Sequence, residues 1–250
     1  MKITLVLALM LIFIGCNSLD NQGKTIPNNE KHEIQPSFIV KYNGALKNMM
    51  HKGDLSAKAD LRNLQETKHL YAIGAIESLK GEIQIFNSQS FNSHVELDSM
   101  VINDSFERKA CLLVYASVQE WRSIEIPATI TNQKQLEKFI KESAHANNID
   151  INEPFPFLLE GMVTSFDWHV INWKDGDTEH SHEKHVNSGL HGTKENLALD
   201  MLGFYSNSHH AIFTHHSTNI HVHFKTKDGK MAGHVDDLNF GEKMVLKLPN

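Results

Sequence analysis

The chain has 250 residues, 40% of them hydrophobic, which rules out a disordered protein and suits one large domain or two small ones. Its formal net charge is -6, and arginine occurs only as Arg62, Arg108 and Arg122. This balance excludes the basic surface that nucleic-acid binders need, so no nucleic-acid partner is expected.

Met1-Lys2 precedes an apolar run from Ile3 to Ile14, followed by Gly15-Cys16-Asn17-Ser18. One basic residue, a short apolar segment and a small residue before cysteine read as an export signal, too short to span a bilayer as a mature helix. The Gly15-Cys16 step resembles the bacterial lipoprotein signal, in which the cysteine is lipidated and becomes the mature N-terminus; Phe13 stands where leucine is usual. The expectation is a signal over 1–16, a lipid anchor at Cys16, and an exported, membrane-tethered protein of the bacterial cell envelope. Cys111 then remains alone. Within Ala110-Cys111-Leu112-Leu113-Val114-Tyr115 it reads as a buried strand residue, and no intramolecular disulfide is expected.

Residues 17–37 are rich in Asn, Gln, Lys and Glu and read as a flexible tether, with the folded domain over 38–250. Leu46, Met49 and Met50 have helical spacing that Gly53 ends, and Leu55, Ala59 and Leu61 suggest a second short helix. Strand-like runs follow at Leu70–Ile76, Glu82–Phe86 and Cys111–Val118. Trp121–Ile126 is another strand, in which Arg122 shares a face with Ile124 and Ile126; a guanidinium among apolar residues needs a carboxylate partner. Thr131 or Asn132 can cap a helix carrying Leu136, Phe139, Ile140 and Ala144 on one side, ending near Asn147-Asn148. Leu79-Lys80-Gly81-Glu82-Ile83 echoes Leu159-Glu160-Gly161-Met162-Val163, and each is followed by phenylalanine. The echo suits two related sheet units that meet somewhere within 125–150.

Twelve of the 17 histidines fall between His169 and His234. Residues 167–219 form a histidine-rich insert. Its His180-Ser181-His182-Glu183-Lys184-His185 run, among Asp, Gly and Ser, reads as a polar loop able to bind metal loosely. Phe213–Ser217 reads as a strand; continuity with the next strand would put His215 on the face of His221.

The C-terminal region carries the sharpest pattern. In His221-Val222-His223-Phe224 the imidazoles leave one face of a strand and the apolar residues the other. Asp228-Gly229 is a favoured two-residue hairpin turn. Closing the chain there pairs Lys227 with Lys230, Lys225 with Ala232 and His223 with His234. Directly opposed residues have Cβ atoms roughly 4.5 to 5.5 Å apart, which lets imidazoles meet on an ion at about 2.0 to 2.1 Å. Three nitrogen ligands with a fourth position open are typical of catalytic zinc. Asp236 falls opposite His221 in this register, placed to orient an imidazole, and His215 and His216 are further candidates for the surroundings. A cupin is disfavoured because Lys227 and Asp228 stand where its glutamate belongs.

From about Tyr42 to Asn250 the chain resembles the alpha-acetolactate decarboxylase family. Ile220-His221-Val222-His223-Phe224, the Asp-Gly turn, and Gly233-His234-Val235 with Asp237 match the family's His-x-His and Gly-His-Val strands with the same gap. Gly74 followed by Leu79-Lys80-Gly81-Glu82 resembles its Gly-x-x-x-x-Leu-Asp-Gly-Glu segment. Val118–Glu125 resembles its Val-Gln-x-Arg-Thr-Val-Glu run with one residue inserted.

The resemblance implies an α+β fold of two related mixed or antiparallel β-sheet units with short flanking helices. It further implies zinc on His221, His223 and His234, a catalytic Glu82 and an active-site Arg122. The implied reaction converts a small molecule, 2-acetolactate, to acetoin and carbon dioxide, as in acetoin and 2,3-butanediol biosynthesis. Other divalent ions also suit three histidines, and a homodimer is compatible with the sequence. Two features differ from the family pattern: Leu246–Asn250 stands where a tail with a further glutamate would begin, and the insert over 167–219 is long. The rival readings are a non-catalytic metal-binding lipoprotein on the same fold, and a zinc lyase or hydrolase acting on another hydroxy-keto acid.

Overall fold

The computed structural model describes residues 38–241 and 243–250. The signal over 1–16 with Cys16 and the tether over 17–37 lie outside the described residues. No helix among the described residues is long and apolar enough to cross a membrane.

Two antiparallel sheets make up the domain. The first contains β1 (Lys41–Asn43), β2 (Ala59–Asp60), β3 (Leu70–Ile76), β4 (Glu82–Phe86), β5 (Gln89–Ser90), β6 (Asn92–Glu96), β7 (Ser99–Asn103) and β8 (Lys109–Ser117). Its main path runs β1-β8-β3-β4-β6-β7. The second contains β9 (Trp121–Glu125), β10 (Phe155–Val170), β11 (Leu190–Tyr205), β12 (Ile220–Thr226), β13 (Ala232–Phe240) and β14 (Val245–Pro249). Every ladder between these strands is antiparallel, so neither sheet is mixed.

Among the described residues, three helices flank the sheets: α1 (Leu46–Lys52), α2 (Gln133–Ala146) and α3 (His182–Asn187). Gly53, at φ 59°, ends α1 in the left-handed conformation that glycine adopts without penalty. Asn132 caps α2 by accepting from the Gln135 N–H at 3.0 Å, and Leu136, Ile140 and Ala144 are its buried stripe. The second short helix expected around Leu55–Leu61 is instead β2 followed by a 3-10 turn at Leu61–Leu64, because Ala59 and Asp60 pair with Ala110 and Lys109.

Burial on both faces explains the unbroken apolar runs of β3 and β8. Leu70 and Ala72 face one cluster with Leu61, Ile83 and Leu113. Tyr71, Ile73 and Ala75 face the other sheet, where they join Leu158, Ile171, Leu202 and Phe204. Cys111 is buried in this second cluster, and burial pushes its thiol up to about 12, making it an inert packing residue.

Two boundaries differ from the sequence expectation. The chain passes from the first sheet to the second between Ser117 and Trp121, ahead of 125–150, because β9 pairs with β14, more than a hundred residues away. The insert over 167–219 also differs, because the His180–His185 run expected as a loop contains the start of α3. Its start completes β10, its middle is α3 and β11, and β10 pairs with β11 along almost its whole length, from Phe155↔Tyr205 to Val170↔Leu190. The internal echo has a backbone counterpart, since Gly81 and Gly161 both adopt positive φ, 141° and 145°.

β10 also organises the second sheet. β11 lies along one of its edges, while β14 and then β13 follow along the other. Because β12 joins β11 to β13, the ladder closes on itself around Phe166, Phe224, Val235 and Leu238.

Candidate metal centre

β12 and β13 meet in the register that the turn implies, with His223 opposite His234, Phe224 opposite Gly233 and Lys225 opposite Ala232. The loop is longer than the two-residue turn expected: Thr226 N–H donates to Met231 O at 2.9 Å and Gly229 N–H to Thr226 O at 3.0 Å, a turn centred on Lys227-Asp228 that Gly229 follows at φ 68°, with the register unchanged. Nitrogens of His221, His223 and His234 lie within 4.8 Å of one another, and the Nε2 atoms of His221 and His223 are 3.0 Å apart.

The donor set fits a metal. Burial, reinforced by the neighbouring imidazoles, holds His221 and His223 well below the usual histidine range, so both present the neutral form that a metal requires. Among the described residues, the buried Nδ1 atoms of His221 and His234 have no hydrogen-bond partner. Three histidine nitrogens suit zinc and similar divalent ions.

Glu82 reaches this cluster from the first sheet. It is the first residue of β4, is 4% exposed, and accepts the Ile171 N–H at 3.2 Å. Its Oε2 is 4.0 Å from His223 Nε2. Burial pushes the carboxyl up to about 7, outweighing the charge of His234 and the Ile171 hydrogen bond, while Asp236 adds to the rise. Gln84, two residues along the same strand face, lies 3.0 Å from His223 Nδ1 through its Oε1.

Asp236 does not pair with His221, because the β12–β13 ladder stops at His223 and His234. A bulge in the β10–β13 ladder places Trp168 opposite Val235 and Asp167 opposite Asp237, leaving Asp236 unopposed. Its carboxylate accepts from His169 Nδ1 at 2.8 and 2.9 Å and lies 3.5 Å from His234 Nδ1. Burial raises the Asp236 carboxyl, but the His169 hydrogen bond and the neighbouring His234 imidazole outweigh it and hold the group well below the usual carboxylate range.

Sequence reasoning missed His169, which is 6% exposed and directly opposite His234 in the β10–β13 ladder. The two rings stack with centroids 4.7 Å apart. His169, His234 and Asp236 form a second group whose ligand atoms lie within 4.8 Å of one another. No local signal marked it, because its place depends on β10 lying beside β13.

Arg122 is not brought to the cluster. It is exposed on β9, where its guanidinium donates to Asn147 Oδ1 and, at 2.8 Å, to Asn250 Oδ1. The apolar parity with Ile124 and Ile126 fails as evidence because the Arg122 end of this face opens to solvent, leaving the charge no need of a carboxylate. His215 and His216 lie in a turn rather than a strand; His215 bonds to Ser217 at 2.9 Å and its ring lies against His216. Neither makes a hydrogen bond to the three-histidine cluster.

The cluster opens into a cavity of about 780 Å³. Leu46, Met49, Leu79, Leu112, Phe213 and Val222 give it an apolar wall, while Glu82 and the histidines give it a polar one. Among the described residues lining it, Lys134 is the only lysine or arginine. Glu137 on α2 ties down the loop that leads into β12 by accepting from Thr218 Oγ1 at 2.7 Å and the Asn219 N–H at 3.2 Å. His182 and His185 of α3 also line the cavity. His185 is committed to packing: with His180 it surrounds Trp173, and burial depresses its imidazole to about 4.

The family model described as alpha-acetolactate decarboxylase matches residues 42–249. No curated protein matches the chain. Among solved structures, the chain is similar to a protein of unknown function from Staphylococcus aureus described as similar to alpha-acetolactate decarboxylase. That similarity has a TM-score of 0.64 at 15% identity and covers 84% of this chain and 85% of the other. The alpha-acetolactate decarboxylase of Bacillus subtilis strain 168 gives a TM-score of 0.65 at 12% identity, over 84% of this chain and 85% of that one. The acetolactate decarboxylase of Bacillus subtilis subspecies spizizenii gives the same values. At these identities the structural likeness speaks for the fold.

Proposed function

The chain belongs to the alpha-acetolactate decarboxylase family, and from that membership we propose that it decarboxylates 2-acetolactate to acetoin with a divalent metal, zinc first among the candidates, held by His221, His223 and His234. The observation that carries this reading is the convergence of the three histidines beside a buried carboxyl, Glu82, contributed by the other sheet. A bound ion supplies Lewis acidity to the oxygens of a 2-hydroxy-3-oxo acid.

The protein's own groups account for the rest. Loss of carbon dioxide leaves an electron pair on the former carboxyl-bearing carbon, and forming acetoin requires one proton there. Glu82 suits that task, since burial brings it near the pH at which it both holds and releases a proton. Gln84 and Asp236 set the orientation of the imidazoles. The apolar wall of Leu79, Leu112 and Phe213 excludes water from the developing charge.

The test is to incubate the zinc-loaded protein with racemic acetolactate and follow acetoin and carbon dioxide. Stoichiometric release of both, lost in Glu82→Gln, is expected. No product above the metal-free control overturns the assignment. Export and lipid attachment at Cys16 belong to the same proposal; a mature protein that lacked residues 1–15 and carried lipid at Cys16 in mass spectrometry would bear it out, and retention of Met1 in the cell would refute it.

A further inference from the structure

Three adjacent strands each contribute a histidine at the same level: His223 on β12, His234 on β13 and His169 on β10 are opposed residue for residue. His223 and His234 belong to the metal-ligand set, whereas His169 has other partners. Its Nδ1 faces both carboxylate oxygens of Asp236, at 2.9 and 2.8 Å. Its Nε2 lies 3.7 Å from Glu82 Oε1. An ionised carboxylate only accepts, so a hydrogen sits on Nδ1, and the Nε2 edge of the ring faces Glu82. Asp236 therefore addresses two imidazoles, that of the ligand His234 and that of His169.

We propose that His169 is a positioning residue for Glu82: held by Asp236 through its Nδ1–H, its ring edge stands against Glu82 Oε1 and sets the plane in which that carboxyl meets the substrate. The inference rests on Glu82 being the proton donor of the proposed reaction. Glu82 Oε1 also accepts the Ile171 N–H at 3.2 Å. His169 flanks the Oε1 side and leaves Oε2 toward the three-histidine cluster. The consequence is stereochemical. Acetoin acquires its stereocentre at the carbon that receives the proton, so a carboxyl held in one plane delivers to one face.

The test uses the zinc-loaded protein in three measurements. Histidine nitrogen NMR should show His169 as the Nδ1–H tautomer, lost in Asp236→Ala. His169→Ala should lower kcat about ten- to hundred-fold, the usual cost of losing an orienting partner, with KM little changed and the enantiomeric preference of the acetoin eroded. His169→Gln, whose amide offers one donor and one acceptor, should recover much of both. Zinc titration should give one equivalent in the wild type and in His169→Ala. An Nε2–H tautomer, or an unchanged enantiomeric preference in His169→Ala, overturns the inference. So does a second zinc equivalent lost with His169, which would make His169, Asp236 and His234 a second ion site. A wild type inactive on acetolactate would defeat the functional reading alone, and the tautomer and zinc count would then decide the role of His169.

Discussion

Gln84 Oε1 lies 3.0 Å from His223 Nδ1, joining β4 of the first sheet to β12 of the second inside the protein. The amide nitrogen of Gln84 is occupied in donating to Phe91 O at 3.0 Å and Ser93 Oγ at 3.2 Å. Its oxygen must therefore accept, His223 Nδ1 must donate, and the Nε2 lone pair is left for an ion.

Replacing Gln84 by Leu should weaken zinc affinity about ten- to hundred-fold, because the buried Nδ1–H loses its acceptor. Competition with a chromophoric chelator measures this directly. An unchanged affinity would mean that the tautomer of His223 is set by something else.

Metal binding should also appear as stability. An ion that binds only the folded state contributes about 2.7 kcal/mol at a free concentration one hundred times its dissociation constant. Thermal unfolding with and without a chelator should show the corresponding shift in the wild type and almost none in His223→Ala. A chelator effect that persisted in that variant would place the ion elsewhere, the histidines of the insert being the first candidates.

Glu82 predicts a pH dependence of the metal-free protein. Its carboxyl is raised from an ordinary 4.5 to about 7 in the folded state, so the folded chain holds this proton more tightly than the unfolded one. The resulting stability is complete below 4.5 and is lost as pH rises through 7, on the order of 3 kcal/mol over that window. His221 and His223, held low, act in the opposite sense and lose stability as pH falls below about 6.5. Comparing Glu82→Gln with wild type cancels the histidine contribution. Denaturant titrations should find the variant's relative stability rising from pH 5 to pH 8, and a constant difference would contradict the assigned shift.

Arg122→Ala should leave acetolactate turnover within about two-fold and cost no more than about 1.5 kcal/mol, the worth of its hydrogen bonds to Asn147 and Asn250. A hundred-fold loss of kcat would show that this arginine acts at the site after all.

The parts of the site legible in the sequence were those carried by short-range geometry. The alternation in His221-Val222-His223 and a reversal symmetric about Asp228-Gly229 suffice to pair His223 with His234, and that register holds although the turn itself centres on Lys227-Asp228. Glu82 required the family's Leu-x-Gly-Glu pattern, because nothing local distinguishes a strand carboxylate that will be buried from one that will be solvated. His169 was not legible: its position depends on β10 lying beside β13 and on a bulge at Asp236, and both are products of tertiary assembly. The misreading of Arg122 has the same origin. Parity assigns a residue to a face, but only the packed structure decides whether that end of the face is covered.

The closed ladder around β10 bears on how the protein opens. Residues 155–170 pair with β11, β13 and β14, and the same strand carries His169 into the cluster. Amide protons on β10, β12 and β13 near the three histidines should therefore exchange only through a transition that dismantles the whole second sheet. Local fraying of α1 or of the Leu97-Asp98 turn in the first sheet leaves that ladder intact. A protease or denaturant able to reach the metal ligands would thus meet a chain that had already lost its hydrophobic interior, and partly unfolded molecules with a working centre should not accumulate.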